Sequence, residues 1–397
     1  MNVFVINSGS SSIKYQLFRM PGSDVVCSGL IDRIGQDGAS ITHKVFGPGA
    51  QIIKQETAIA DHAAGLSLAA AMLTDASFGV IRDPAEIDAV GHRVVHGGEA
   101  FAHTMEITPE VKEKIKALFP LAPLHNPPNF LGIEVAERIF ARAKQVAVFD
   151  TAFHQTMEPV AYRMAIPKSF YTDHQIRAYG FHGTSHKYVS AQAAAYLKNP
   201  SARLVTIHLG NGCSMAAVSN GKCVDTSMGM GPMNGLIMGT RAGDIDQSVI
   251  FHMVSQLGQT LDGVNTILNK KSGMLGLTGH SDMRDVKTAR AQGDPDAVLA
   301  YDMYAYRIRK YIGAFAAALG GLEAIVFTAG VGENDPLTRA LSVQQLAFLG
   351  IHLDAERNEK GGKGIYEIST PDSPVKILVV PTNEEWEIAN QCFALLK

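Results

Sequence analysis

Two stretches of the chain read alike: V-F-V-I-N-S-G-S-S-S-I-K at residues 3–14 and L-V-T-I-H-L-G-N-G-C-S at residues 204–214. Each is an apolar strand that runs into a small Gly/Ser/Asn loop and out into a second strand. The later copy closes on Asn220-Gly221, a hairpin-turn signal. Tight loops of this kind offer backbone N–H groups and hydroxyls, which suit phosphate oxygens, and Lys14 follows the first. A duplicated hairpin implies two related halves facing one cleft. The rival reading is two ordinary polar hairpin loops, and these stretches alone leave both open.

Around the hairpins, strand-like runs (89–95, 145–149, 324–328, 375–380) alternate with helical ones (109–119, 129–141, 185–197, 249–257, 297–319, 384–396). That alternation predicts α/β layers. Thr382 stands three residues before Glu385, a capping-box spacing for the last helix. The 397 residues suffice for two domains. Apolar residues are 46% and charged residues 18% of the chain, the balance of a globular protein. The charge sum, 35 minus 38, is −3, which argues against a non-specific nucleic-acid or anionic-membrane binder. Cys27, Cys213, Cys223 and Cys392 form no C-x-x-C pair, so the chain reads as reduced and cytoplasmic. No basic segment precedes an apolar core at the N-terminus, so no secretory signal is expected. Residues 311–322 are too short to span a bilayer and read as a buried helix.

The chemistry concentrates in short segments. A third glycine loop, T-A-G-V-G-E-N at 328–334, follows a strand. None of the three matches G-x-G-x-x-G or a P-loop, which disfavours an NAD enzyme or a P-loop site. Arg93 in G-H-R-V-V-H-G-G and Arg241 in M-G-T-R-A-G-D lie in apolar, glycine-rich settings, where a charge needs a partner. A carboxylate or phosphate ligand supplies one. His182 sits in G-F-H-G-T-S-H. Asp150 ends a strand in V-F-D-T-A-F-H, and Glu384 opens the last helix; either acid suits Mg²⁺, and for Glu384 a helix-dipole charge is an equal reading. The histidine pairs 92/96 and 182/186 lack the glutamate of a zincin. Residues 244–255 lack the glycine and glutamate of an EF-hand. No G-x-S-x-G elbow is present. Arg307, Arg309 and Lys310 read as a solvated helix face.

Taken in order, N-S-G-S-S-S-I-K, G-H-R-V-V-H-G-G, L-A-P-L-H-N-P, V-F-D-T-A-F-H, Y-G-F-H-G-T-S-H, H-L-G-N-G, D-T-S-M-G-M, M-G-T-R-A-G-D, F-T-A-G-V-G-E-N and P-T-N-E-E resemble the acetate kinase family over nearly the whole chain. The resemblance implies a duplicated actin-like (ribonuclease H-like) α/β fold of two domains with an active-site cleft between them. It implies residues 1–150, completed by 384–397, as one domain and 151–383 as the other, and a homodimer. It implies ATP/ADP with Mg²⁺, or Mn²⁺ as a substitute, and no nucleic-acid or membrane partner. By the same resemblance Asn7 and Glu384 are metal-associated, and Asp150, His182 and Arg241 are catalytic. Arg93 binds the substrate carboxylate, with Val95, Leu124, His125, Phe181 and Pro232 around it. Lys14, His208, Leu209, Gly210, Asn211, Gly212, Asp282, Met283, Arg284, Gly330, Val331, Gly332, Glu333 and Asn334 hold the nucleotide. Around residues 35–55 the match is looser, and no function is placed there.

The implied reaction is ATP plus acetate giving ADP plus acetyl phosphate. The carboxylate nucleophile is already ionised at pH 7, so alignment and charge neutralisation replace a general base. Two halves must close to exclude water, and 228–235 and 361–364 are candidate flexible segments. Two alternatives stay open: a propionate or other short-chain acid kinase of the same family, and a nucleotide-switched binding protein like Hsp70 or actin.

Overall fold

The computed structural model describes residues 1–9, 11–47 and 49–397. Ser10, in the first Gly/Ser loop, and Pro48 lie outside the described residues. The chain divides into two compact units, Met1–Phe153 with Asn383–Lys397, and His154–Thr382.

Among the described residues, unit 1 is built on an eight-stranded sheet. Its strands are β1 (Asn2–Ser8), β2 (Ile13–Arg19), β3 (Val25–Asp32), β4 (Ser40–Val45), β5 (Gln51–Glu56), β6 (Ala89–Val94), β7 (Met105–Glu106) and β8 (Lys144–Phe149), in the order β5-β4-β3-β2-β1-β6-β8-β7. Strand β1 is apolar without alternation because both of its faces are covered. Val3 and Val5 pack with Ile388, Ala389 and Cys392 of the helix Glu384–Leu396. Phe4 and Ile6 pack with Leu66 and Leu73 of the helix His62–Leu73 and Val135 of the helix Asn126–Ile139. Gly91 in β6 admits the close approach of the last helix: a Cβ there would lie 2.8 Å from both Cys392 Sγ and Ile388.

Unit 2 carries β9 (Arg203–Leu209), β10 (Cys213–Ser219), β11 (Lys222–Thr226), β12 (Ala324–Thr328), β13 (Tyr366–Glu367) and β14 (Lys376–Val379), in the order β11-β10-β9-β12-β14-β13. The helix Gly183–Tyr196 packs against β9, β10 and β12, and the long helix Pro295–Leu319 packs against β9, β10 and β11.

The two sheets have the same central arrangement of strands. In unit 1 it is β3-β2-β1-β6-β8 and in unit 2 β11-β10-β9-β12-β14. In each, the first three strands pair antiparallel and the last two join in parallel. The α/β class and the duplication read from the two hairpins are borne out.

Three local expectations need correction. Residues 328–334 are not a loop but the end of β12 and a short helix, Ala329–Asn334, entered through Ala329 at φ 64°. The last helix is capped by Asn383, whose side chain accepts from the Trp386 N–H, and not by Thr382. Asn383 lies one residue before the helix, where its short carbonyl reaches the third N–H. Arg307 and Arg309 are not a solvated face: Arg307 donates to the carbonyls of Gly235 and Asp244, and Arg309 to that of Leu341. Carbonyls left open by irregular backbone draw these guanidinium groups inward.

Candidate active site

Side-chain alternation aims unit 1's polar groups at one place. Along β1 the positions Val3, Val5 and Asn7 share a face, along β6 Ala89, Gly91 and Arg93, and beyond β8 the position of Asp150 continues Val146 and Val148. This is the face covered by the last helix, whose first residue is Glu384. The apolar residues meet the helix body and the polar ones gather at the strand ends by the helix N-terminus.

Arg93 donates from Nε to Asp150 Oδ2 at 2.9 Å and from Nη2 to the same oxygen at 2.5 Å. Its Nη1 makes only a long 3.5 Å approach to Asn7 Oδ1. Asp150 is 1% exposed. Burial alone would discharge Arg93, but Asp150, Glu384 and Glu385 outweigh it and hold the guanidinium more firmly charged than usual. Burial raises the Glu384 carboxyl above the ordinary range, Arg93 and Lys14 pull it back, and Asp150 pushes it further up. Glu385, also raised by burial, stood out in the sequence only as a capping-box residue. Lys14 is the β2 partner of Asn7.

Unit 2 assembles its groups differently. His182 caps the helix Gly183–Tyr196 in a left-handed conformation, φ 55° and ψ 27°. Its ring stacks on His208 with centroids 4.4 Å apart. A Cβ placed on Gly212 would lie 3.5 Å from His182 Nε2 and 3.6 Å from Arg241 Nη1, so both side chains flank this loop glycine. Arg241 donates from Nη1 to the Pro232 carbonyl at 2.9 Å, and burial lowers its pKa.

A cavity of about 460 Å³ opens beside this loop. It is lined by Gly210 and Asn211 from the hairpin, Asp282, Met283 and Arg284 from a helix start, and Gly330 and Val331 from the short helix after β12. The sequence thus named three segments that the structure brings together. Asp282 caps its helix and is drawn down to about 2, first by the Arg284 side chain.

Comparison with known proteins turns on the whole chain. The acetokinase family profile matches residues 2–390. The chain belongs to the acetokinase family. It is 59% identical to the acetate kinase of Flavobacterium johnsoniae, covering 100% of both chains. It is 52% identical to that of Thermotoga maritima over 98% of this chain and 97% of the other. Among solved structures, the acetate kinase of Porphyromonas gingivalis superposes with TM-score 0.94 at 44% identity over 100% of both chains. A propionate kinase from Francisella tularensis gives TM-score 0.92 at 39% identity, with 98% of both chains covered.

Within this acetokinase chain, other named residues fall in less expected places. His208 and Leu209 belong to strand β9, not to the loop. His208 Nδ1 meets Ser185 Oγ at 2.8 Å, and Leu209 is fully buried. Gly332, Glu333 and Asn334 do not line the cavity. Glu333 instead accepts from the Ala329 and Thr382 N–H groups and Asn334 donates to the Gly330 carbonyl, bracing the turn. Val95 is buried, its N–H bonded to Asn129 Oδ1. Leu124 is 61% exposed, and His125 caps the helix Asn126–Ile139. In unit 2, Phe181 is buried and its carbonyl meets His154 Nε2.

Five cavity residues had no sequence signal of their own: Cys213, Gly239, Met274, Ser281 and Tyr304. Gly239 was legible in principle, since a Cβ there would fall 2.0 Å from Asn211 Oδ1. Met274 and Tyr304 arrive by tertiary packing, which no local pattern encodes.

Proposed function

We propose that this chain is an acetate kinase, transferring the γ-phosphoryl group of ATP to acetate and running in reverse from acetyl phosphate and ADP. The observation that carries the reading is Arg93. It spends Nε and Nη2 on Asp150, and its Nη1, held by Asn7 Oδ1 only at 3.5 Å, is the donor we assign to a second carboxylate. A half-buried guanidinium with one weakly held donor is a grip for a small anion. The full-length relation to proteins named acetate kinase supports the same conclusion.

Acetate needs no general base, because it is ionised at neutral pH. What its attack on phosphorus needs is neutralisation of two like charges and in-line placement. Arg93 serves acetate, with Val95 and Leu124 of its own unit for the methyl group; the family resemblance adds Phe181 and Pro232. The unit 2 cavity takes the nucleotide, with the 210–212 loop toward its phosphates. His182 and Arg241 meet the equatorial phosphoryl oxygens, where charge spreads in the transition state.

Asn7 and Glu384 would hold a divalent ion, with Asp150 ordering its bound water. Burial raises the Glu384 carboxyl and the Asp150 charge adds to that, a condition a cation would relieve. Among the described residues no group of three or more His, Cys, Asp or Glu side chains could hold a metal alone. Two protein oxygens with phosphates and waters suffice for Mg²⁺, or Mn²⁺ in its place. When bound, the ion neutralises phosphate charge and fixes the phosphate geometry. Asp150 also orients Arg93. The metal dependence of Asp150→Asn separates these roles: lost turnover with unchanged Mg²⁺ affinity leaves Asp150 as the orienting group alone.

We read the chain as a homodimer of the cytoplasm, in keeping with its family resemblance and its four free, buried cysteines. No helix among the described residues is long and apolar enough to cross a membrane. Incubation with ATP, Mg²⁺, acetate and hydroxylamine tests the function. Acetyl hydroxamate that requires both ATP and acetate supports it; ATP hydrolysis indifferent to acetate overturns it. Propionate in the same assay reads out the second acid.

A further inference from the structure

Three segments that line the unit 2 cavity lead back to one carboxylate. Asp335 directly follows the short helix Ala329–Asn334, whose Gly330 and Val331 line the cavity, and its N–H donates to the Val331 carbonyl at 2.9 Å. Asp335 Oδ1 accepts from Lys287 Nζ at 2.8 Å. Lys287 lies one turn beyond the cavity-lining Met283 and Arg284 on the helix Met283–Ala291. Asp335 Oδ2 accepts from the Tyr301 hydroxyl and, at 2.7 Å, from the Thr338 hydroxyl. Tyr301 lies one turn before the cavity-lining Tyr304 on the helix Pro295–Leu319. The hairpin loop is tied to the same helix. Tyr304 Oη lies 3.3 Å from Cys213 Sγ, which donates to the Gly210 carbonyl at 3.3 Å.

We infer that Asp335 is a positioning residue for the nucleotide, holding the helix start at Asp282, the Gly330–Val331 segment and Tyr304 at the spacing ATP requires. The inference rests on the proposed nucleotide role of this cavity. The direction of each bond to Asp335 is fixed, because an ionised carboxylate only accepts and an ammonium only donates. Burial alone would raise the Asp335 carboxyl. The bonds from Lys287, Tyr301 and Thr338 outweigh it and hold the carboxyl below its ordinary range. Burial, then the charge of Asp335, raise the Tyr301 hydroxyl, so it keeps the proton it donates.

Asp335 is 8% exposed, and Tyr301 and Thr338 are 0% exposed. Neither Asp335 nor its three donors line the cavity, so their effect passes through neighbours. The helices they join are separate in sequence, and each is pinned within about one turn of a lining residue. A cavity held open in this way has less to order when a nucleotide enters, and ordering is a cost that comes off affinity. A shift of about 1 Å in such a wall is enough to spoil an in-line geometry. The acetate grip at Arg93 belongs to unit 1 and shares none of these groups. Loosening Asp335 should therefore show in ATP and not in acetate.

Calorimetry with ATP and Mg²⁺ on the full chain compares the native protein with Asp335→Asn, Lys287→Met and Tyr301→Phe. Asp335→Asn should weaken ATP binding about tenfold and raise KM for ATP alike, with KM for acetate within about twofold of native. Lys287→Met removes the charged donor from a half-exposed position, where folding tolerates change, and should weaken ATP several-fold. The double variant should bind ATP about as weakly as Asp335→Asn alone, because both single changes break one pair. Additive losses in the double variant overturn the inference. So does a fall in melting temperature and kcat with KM for ATP unmoved in Asp335→Asn, which is what an ion pair that only stabilises the fold would give. If Asp335→Asn does not fold, Lys287→Met and Tyr301→Phe decide: weaker ATP binding in both supports the inference, and native affinity in both overturns it. A native chain that binds no ATP overturns this inference together with the nucleotide reading. A native chain that binds ATP and makes no acetyl hydroxamate strikes the proposed function alone.

Discussion

The two sheets end on matched positions and put different chemistry there. The residue after β8, Asp150, bonds its N–H to the Val94 carbonyl; the residue after β14, Val380, bonds its N–H to the Phe327 carbonyl. Arg93 precedes Val94 as Val326 precedes Phe327, so where unit 1 carries Arg93 and Asp150, unit 2 carries two valines that are 0% exposed. Unit 2 takes its polar groups from other places: the hairpin loop at 210–212, the left-handed helix start at His182 and the helix cap at Asp282. On the proposed reading, a two-carbon acid offers one carboxylate and would be gripped by a paired charge. On the same reading, a nucleotide offers volume and spread phosphate oxygens, and would be met by a cavity, backbone N–H groups and a separate arginine.

The largest expected effect breaks the unit 2 side. Arg241→Ala should lower kcat on the order of 10³-fold, the scale of an arginine that meets a transferring phosphoryl group, with little change in KM for acetate. Steady-state kinetics in both substrates check it; a rise confined to the acetate KM would move Arg241 to the acetate side.

A stability difference follows from His92, whose matched residue in unit 2, two before Phe327, is Ile325. Burial lowers His92 from 6.5 to about 4, against a smaller upward pull from Gln145. The folded state refuses a proton that the unfolded state accepts below 6.5. Stability is therefore complete above 6.5 and lost as pH falls toward about 4, by up to about 3 kcal/mol. His92→Ile, the unit 2 choice, should flatten this loss. Urea unfolding at about pH 7.5 and about pH 5, read by the single Trp386 of unit 1, measures it; equal slopes in both proteins would refute the assignment.

Gly91→Ala sharpens the packing side of the comparison. The added methyl meets Cys392 and Ile388 at 2.8 Å, and overpacking of this kind costs roughly 1–3 kcal/mol. The last helix should loosen and Trp386 emission shift. Because Glu384 opens that helix, Mg²⁺ dependence should worsen too. The smallest effect is Val95→Ala, which should raise kcat/KM for propionate relative to acetate several-fold, since one methylene in a pocket is worth ~1–3 kcal/mol.

The two hairpins made the duplication legible because apolar strands covered on both faces, closed by Gly/Ser loops, leave a local signature. Arg93 and Asp150 were legible as charges in apolar surroundings. Strands β3, β4 and β5 and the helix His62–Leu73 were not read, since their burial is uneven and their partners lie elsewhere in the chain. The cavity was half legible: Gly210, Asp282 and Gly330 sit at turns and caps that announce themselves, whereas Met274 and Tyr304 face the cavity from ordinary helices. The turn after β12 misled because Ala329, not a glycine, takes the left-handed conformation there.

The division of labour between the units is tested most directly by ATP binding to Arg93→Ala, measured by calorimetry without acetate. With the nucleotide held by unit 2 and Arg93 reserved for acetate, the Kd for ATP should match that of the native protein within about twofold, while KM for acetate rises by on the order of 10²-fold or more. A Kd for ATP weakened tenfold or more, with acetate KM unmoved, would contradict it.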